Sequence, residues 1–267
     1  VLNGAATFLS NVTSRGDFST SGWSLFVNGN FEQIGGTVDQ GGFVGGAAPG
    51  TAGAFTAISI GGGAIWTQTN SLLQGDTLNV GAGDGGTGSY FINPTGSFST
   101  GFQAASFQAI NVGPLSDGSI VQNVRRVTAT TVTVGGTGGL IRTGTAPPPG
   151  RRGFYTLNAG TLLCDSLVVG AKEALSGEFT QNGGFVEVGK FTCNVDSSSN
   201  GIINHSGGTL VVENDSINNG TVAISGGVAF VTGNINGAGT VNMSGTGSML
   251  VARLRQDAVE LAGDAQL

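Results

Sequence analysis

The chain has 267 residues, of which 50 are glycine and only 6 proline, and it carries a formal charge of −6 with 10% charged side chains. Collagen is excluded because no Gly-X-Y period exists, and disorder is disfavoured because so little charge would keep the chain solvated. The acidic balance argues against a nucleic-acid partner, and no run approaches the roughly 18 apolar residues that a membrane-spanning helix needs. Two lysines and two methionines stand against a wealth of Thr, Ser, Val, Asn and Gly, a vocabulary of strands and turns. The expected class is all-β.

The chain opens on apolar residues, Val1-Leu2 and then Thr7-Phe8-Leu9, and a signal peptide is absent from it. Arg15-Gly16-Asp17 is an adhesion tripeptide that glycine-rich loops also produce by chance. From Gly29 the chain reads GNFEQIGGTVDQ, a glycine, an alternating run and a glycine pair. Gly81 to Gly86 satisfies GxGxxG, but no helical pattern follows it to offer a pyrophosphate a helix N-terminus. The same stretch has the flavour of a calcium-binding nonapeptide repeat, which needs tandem copies and here has one. Gly88 opens GSYFINPTGSFST and Gly118 opens GSIVQNVRRVTATTVTVGG. A proline-rich insertion at 141–152, ending Pro147-Pro148-Pro149-Gly150-Arg151-Arg152, reads as a stiff connector.

After that insertion the repeat is plain. Units begin at Gly153, Gly177, Gly201, Gly220 and Gly239, the first two 24 residues long and the next two 19. An apolar-x-Val-Gly tetrad recurs at Leu78–Gly81, Ile110–Gly113, Val132–Gly135, Leu167–Gly170 and Val186–Gly189. Each unit is too small to bury its own apolar face, so the units must stack coil on coil with strands paired in parallel. Alternation assigns Tyr155, Phe179 and Ile203 to one inward ladder, Leu162, Val186 and Leu210 to a second, and Cys164, Val188 and Val212 to a third. The prediction is one continuous β-solenoid over 1–267 of roughly 10–12 coils, irregular over 1–140 and regular over 153–267.

GEFTQNGGFVEVG and INHSGGTLVV, with the GxYxLxxGTL pattern at Gly153, resemble the repeats of bacterial exported β-solenoid proteins. Those are surface proteins associated with PEP-CTERM sorting tails, similar in turn to autotransporter passengers. The resemblance implies a right-handed parallel β-helix, exported to the cell surface or beyond. The apolar sorting tail such proteins often have is absent from this sequence.

Little in the chain suggests chemistry. The sole histidine, His205, falls in a slot held elsewhere by Gln33, Gln122, Leu157 and Gln181, so it reads as part of a stacked polar row. Zinc would need cysteine partners that a lone histidine lacks. Cys193 matches Val169 and Ile217, a different rung from that of Cys164, and both cysteines read as small buried hydrophobes. Gly184 to Lys190 mimics a phosphate loop, but Phe191 replaces the required hydroxyl and the alternation marks a strand. Enzymatic β-helices cluster acids on adjacent coils, whereas the 16 acids here look scattered. Asp165 and Glu213 share an offset, with Gly189 between them. Five N-x-S/T sequons, at Asn11, Asn204, Asn214, Asn219 and Asn242, are unsurprising in such a composition. Thr128 to Thr133 is the nearest approach to an ice-binding threonine row, and it occurs once. Trp23, Trp66, Tyr90 and Tyr155 are too dispersed to form a sugar-stacking patch.

The expectation is therefore no catalytic residue, no cofactor and no metal. The C-terminal stretch from Met249 reads either as a short capping helix or, preferably, as a further coil, because Val259 and Leu261, then Ala265 and Leu267, alternate around a Gly-Asp turn. Val1, Leu2 and Phe8 at one end, and Leu250, Leu254, Leu261 and Leu267 at the other, are the candidate self-assembly residues. The favoured function is an extracellular structural protein, the subunit of a head-to-tail filament, sheath or surface layer. An adhesin or glycan-binding solenoid comes next, and a polysaccharide-active enzyme third. The partner expected is the chain itself, with surface glycan second, and neither nucleic acid nor membrane insertion.

Overall fold

The computed structural model describes residues 6–8, 12–19, 25–27, 31–34, 37–40, 44–45, 57–61, 63–68, 72–82, 86–92, 103–136, 152–171, 176–195 and 200–267. Among these there are strands and turns and no helix, and every pairing is parallel between strands one coil apart. The protein is a parallel β-helix. Nearly all of the proline-rich insertion lies outside the described residues; its last member, Arg152, opens a strand.

Two sheets run the length of the coil stack. The first has eleven strands in strict chain order, including Ile65–Gln68, Gly88–Ile92, Gly118–Gln122, Arg152–Leu157, Ser176–Gln181, Gly201–His205, Thr221–Ile224, Thr240–Met243 and Ala258–Leu261. Eleven rungs fall within the expected number of coils, and at about 4.8 Å per rung they span about 50 Å. The second sheet has sixteen strands and bends at a corner. In Thr161–Val169 the inward residues are Leu162 and Cys164, then Leu167 and Val169, so the alternation changes phase across Asp165 and Ser166. Pairing with Phe185–Cys193 runs Cys164 to Val188, skips the corner residue, and resumes with Ser166 to Lys190.

Inside, side chains stack in columns. One runs Val38, Trp66, Tyr90, Ile120, Tyr155, Phe179, Ile203, Val222, Val241, each register-paired with the next and each buried. Leu162, Val186 and Leu210 form a second column, and Cys164, Val188 and Val212 a third. Trp66, Tyr90 and Tyr155 are therefore core residues; Trp23 lies outside the described residues.

The apolar-x-Val-Gly tetrads mark one turn that returns in coil after coil. Gly81, Gly113, Gly135 and Gly170 all have φ between 71° and 84°. Each donates its N–H to a carbonyl one coil back, those of Ile60, Val80, Val112 and Val134, at 2.7–2.9 Å. The same four carbonyls face Gly88, Gly118, Gly153 and Gly177, which open strands of the eleven-stranded sheet, and a Cβ at any of them would collide with the oxygen. Valine carbonyl, left-handed turn residue and strand-opening glycine thus form one packed unit.

Two expectations need correction. Val186–Gly189 is not an instance of this turn, because Gly189 lies inside the strand Phe185–Cys193. The equivalent turn is Phe191–Asn194, where Asn194 takes φ 58° and donates its N–H to Val169 O. Asparagine tolerates the left-handed region, which is why the glycine signal vanished there. The unit at Gly29 is also half a coil out of phase with the one at Gly177. Its first strand, Phe31–Ile34, pairs with Ala57–Gly61 in the sixteen-stranded sheet, whereas Ser176–Gln181 belongs to the other sheet.

Gly177→Ala should lower stability by about 3 kcal/mol, in the range of severe core defects, because a backbone carbonyl occupies the Cβ site. Gly16→Ala, where nothing lies within 4 Å of the added carbon, should change stability by less than about 0.5 kcal/mol. Chemical denaturation of the two variants beside the parent checks the contrast.

Candidate functional site

Three features gather polar or apolar groups in ways that bear on function: a buried polar seam, a groove at the outer corner, and the C-terminal end of the stack.

The seam is the column of last residues in the eleven-stranded sheet. It runs Gln40, Gln68, Ile92, Gln122, Leu157, Gln181, His205, Ile224, Met243 and Leu261. Gln40 takes the place expected of Gln33, which pairs in the other sheet. Each described glutamine amide bridges to the neighbouring strand: Gln122 Nε2 donates to Arg125 O and Thr161 O, and Gln181 Nε2 to Thr209 O. With its nitrogen so engaged, the amide oxygen needs a donor from the next coil. Tyr90 Oη–H donates to Gln68 Oε1, and Tyr155 Oη–H to Gln122 Oε1 at 2.7 Å. Where the slot below holds Leu157, the ring above is Phe179, with no hydroxyl to satisfy. Gln181 Oε1 is met instead by His205 Nδ1 at 3.0 Å.

That contact fixes the neutral tautomer. Gln181 presents an acceptor, so Nδ1 of His205 carries the hydrogen. Its Nε2 is buried without a hydrogen-bond partner beside the Gly227 backbone. Burial holds the imidazole below its ordinary value, opposed more weakly by the Val228 backbone. Both thiols are free and buried, each pushed up to about 12 chiefly by burial. Cys193 pairs with Val169 and with Asn218, not with Ile217, which is exposed. The seam builds the core; among its described side chains the polar atoms other than His205 Nε2 meet one another and backbone.

The corner groove is what the sequence reading missed. A depression of about 250 Å³ is lined by Asp165, Glu187 and Glu213 together with Thr128, Leu163 and Gly189. The acids are thus not all scattered. Gly189 occupies the corner position between Asp165 and Glu213, and its missing side chain makes the floor of the groove. Two acids flanking a glycine at one offset, with a third acid two residues before that glycine, was the available signal. Among the described residues no three His, Cys, Asp or Glu side chains converge as a metal site.

At the C-terminal end the chain continues as strand, Ala258–Leu261, and not as a capping helix. Val259 and Leu261 stand in core columns directly over Val241 and Met243, which are buried. Val259 is nevertheless 42% exposed and Leu261 55%, because no further strand lies over them among the described residues. Leu254 packs over Ile235 at the margin of the core, and Leu267 is exposed beyond a parallel bridge from Ser248 to Gln266. Leu250 lies on Ser248–Leu254, which pairs only with Val228–Asn236 in the sixteen-stranded sheet. It projects sideways from the outer face, stacked on Phe230. Val1 and Leu2 lie outside the described residues; Phe8 belongs to the first strand, Ala6–Phe8, and nothing of its side chain is described. Arg15-Gly16-Asp17 sits exposed between the strands Val12–Ser14 and Phe18–Ser19.

No protein-family model matches the chain, and neither a curated protein nor a solved structure matches it.

Two outcomes follow from the seam. Tyr155→Phe should cost about 1–2 kcal/mol by orphaning Gln122 Oε1, and adding Gln122→Leu should recover part of that, as a double-mutant cycle would read. Stability should also fall as pH drops below about 6.5, since the unfolded chain takes up the His205 proton first and the folded chain resists it. His205→Leu should remove that part of the slope between pH 7.5 and 5.5 in equilibrium unfolding.

Proposed function

We propose that this protein is a non-enzymatic structural component of the cell exterior, a subunit that assembles end to end into a filament, sheath or surface layer. The observation that carries the reading is the in-register repetition of the core columns from coil to coil, Val259 over Val241 and Leu261 over Met243, a parallel stacking that a strand of a second copy can repeat in the same way. A parallel strand edge is a template for another strand. A head-to-tail contact between identical rods does not close on itself, so it propagates. The exterior location rests on the likeness of the units at Gly153, Gly177 and Gly201 to exported solenoid repeats.

A glycan-binding solenoid is the second reading, favoured by the corner groove, whose carboxylates and Thr128 could accept hydrogen bonds from sugar hydroxyls. Against it, Trp66, Tyr90 and Tyr155 are inside the core and offer no stacking platform.

Electron microscopy and sedimentation at rising protein concentration test the first reading. Filaments with an axial repeat of about 50 Å or slightly more are expected, and Leu261→Lys should abolish them while leaving the β-sheet spectrum intact. A parent chain that stays monodisperse at high concentration, or filaments indifferent to Leu261→Lys, would overturn it.

A further inference from the structure

Asparagine followed by glycine is prone to lose its side-chain amide, because a next residue without Cβ lets the backbone nitrogen swing onto the side-chain carbonyl. Four such steps lie among the described residues: Asn182-Gly183, Asn200-Gly201, Asn219-Gly220 and Asn236-Gly237. The reaction needs an asparagine side chain free to turn and a glycine N–H free to attack. Coil stacking treats the four differently.

Three are held. Asn182 belongs to an outer polar row: its Nδ2 donates to Asn158 Oδ1 and its Oδ1 accepts from the Ser206 hydroxyl, both at 2.8 Å. Asn219 Nδ2 donates to Asn194 O at 3.3 Å, and its Oδ1 accepts the Ala238 N–H at 3.1 Å. The Gly220 N–H that would have to attack it donates to Asn218 Oδ1 at 3.1 Å. At Asn200 the residue is exposed, but its peptide is pinned. Its carbonyl accepts the Gly177 N–H at 2.8 Å, and Gly201 is buried with Val169 O at the place of a Cβ.

Asn236 is the exception. It ends the strand Val228–Asn236, half-buried, and its side-chain amide has no hydrogen-bond partner among the described residues. Gly237 follows exposed, with φ 133°, and its N–H likewise has none. The coil before it keeps this position glycine, because Asn218 O stands where a Cβ would be.

We propose that Asn236 is a modification site, at which the folded protein converts asparagine to isoaspartate and aspartate without an enzyme. The Gly237 nitrogen gives its proton to solvent base and attacks Asn236 Cγ. The N–Cγ bond forms, the Cγ–Nδ2 bond breaks, and Nδ2 takes a proton and leaves as ammonia. Water then opens the five-membered imide. Opening at Cγ leaves aspartate; opening at the main-chain carbonyl leaves isoaspartate, whose backbone runs through Cγ and is one methylene longer. No electron changes hands, and water is the only co-reactant. The extra methylene falls between two contacts that join coils, Arg255 N–H to Ile235 O and Gly239 N–H to Asn218 O, both at 2.9 Å.

Incubation of the folded chain at alkaline pH, then proteolysis and peptide mass spectrometry, reads each asparagine separately; labelling by isoaspartyl methyltransferase distinguishes the two acids. Asn236 should convert at least tenfold faster than Asn182, Asn200 or Asn219. The same incubation in denaturant should erase that difference, since every tether named above is a contact of the folded stack. Asn236→Ala should abolish the dominant isoaspartate signal, and Asn158→Ala with Ser206→Ala should accelerate conversion at Asn182. An Asn236 that converts no faster than the other three in the folded chain, or a ranking that denaturant leaves unchanged, would overturn the proposal.

Discussion

In five successive coils, from Ile60 to Val169, one backbone oxygen sets the terms on which the coils stack. The carbonyls of Val80, Val112 and Val134 each accept the N–H of the turn residue one coil on and lie against the glycine that opens the following strand. Spacing between parallel strands is fixed near 4.8 Å by their hydrogen bonds, so there is no slack to admit a methyl group at that contact. The turn residue must reach the left-handed region and the strand-opening residue must lack a side chain. Two of the glycine series in the chain are consequences of that single contact.

The same rung spacing governs the interior polar groups. A buried amide cannot drift to find a partner; it must meet whatever the adjacent coil presents at that height. Gln122 does so with its nitrogen on strand carbonyls and its oxygen on the Tyr155 hydroxyl. Substituting an apolar residue in the slot, as at Leu157, removes the demand, and Phe179 rather than tyrosine follows. Choice of ring in one column is thus coupled to choice of amide or alkyl in its neighbour, one coil earlier. His205 is the variant in which the donor comes from the same column.

The fold was legible because this coupling is periodic. Gly153, Gly177 and Gly201 return at 24-residue intervals, and the pairings Tyr155–Phe179–Ile203 and Leu162–Val186–Leu210 follow that interval directly. Legibility failed where a coil solves the same geometry with a different residue. Asn194 replaces the turn glycine, and so the motif seemed to sit at Val186–Gly189, inside a strand. The unit at Gly29 matched in letters while its strands fall on the opposite sheets. The groove eluded the sequence for a subtler reason. In the sequence Gly189 interrupts a pair of acids, whereas at a corner a missing side chain opens space between its neighbours. Alternation along Ser248–Leu254 turns Met249 inward and Leu250 outward, so Leu250 presents its side chain on the outer face of its strand.

Since each strand pairs only with strands one coil away, the sequence separation of native contacts stays near the coil length however many coils there are. Closing a loop of that size carries an entropic penalty that is nearly the same for every added coil, and each coil returns a similar interface energy. Relative contact order therefore falls as such a chain lengthens, and folding can spread from any well-formed pair of coils without awaiting distant segments. Duplication of one unit adds length without redesign of a core, because the new coil meets the same column partners its parent met. Drift from 24-residue to 19-residue units between Gly177 and Gly239 is the kind of variation such duplication tolerates, and the turn contact changes with it: Cys193 O accepts from Asn219 N–H, while Gly220 lies against Gly201 O.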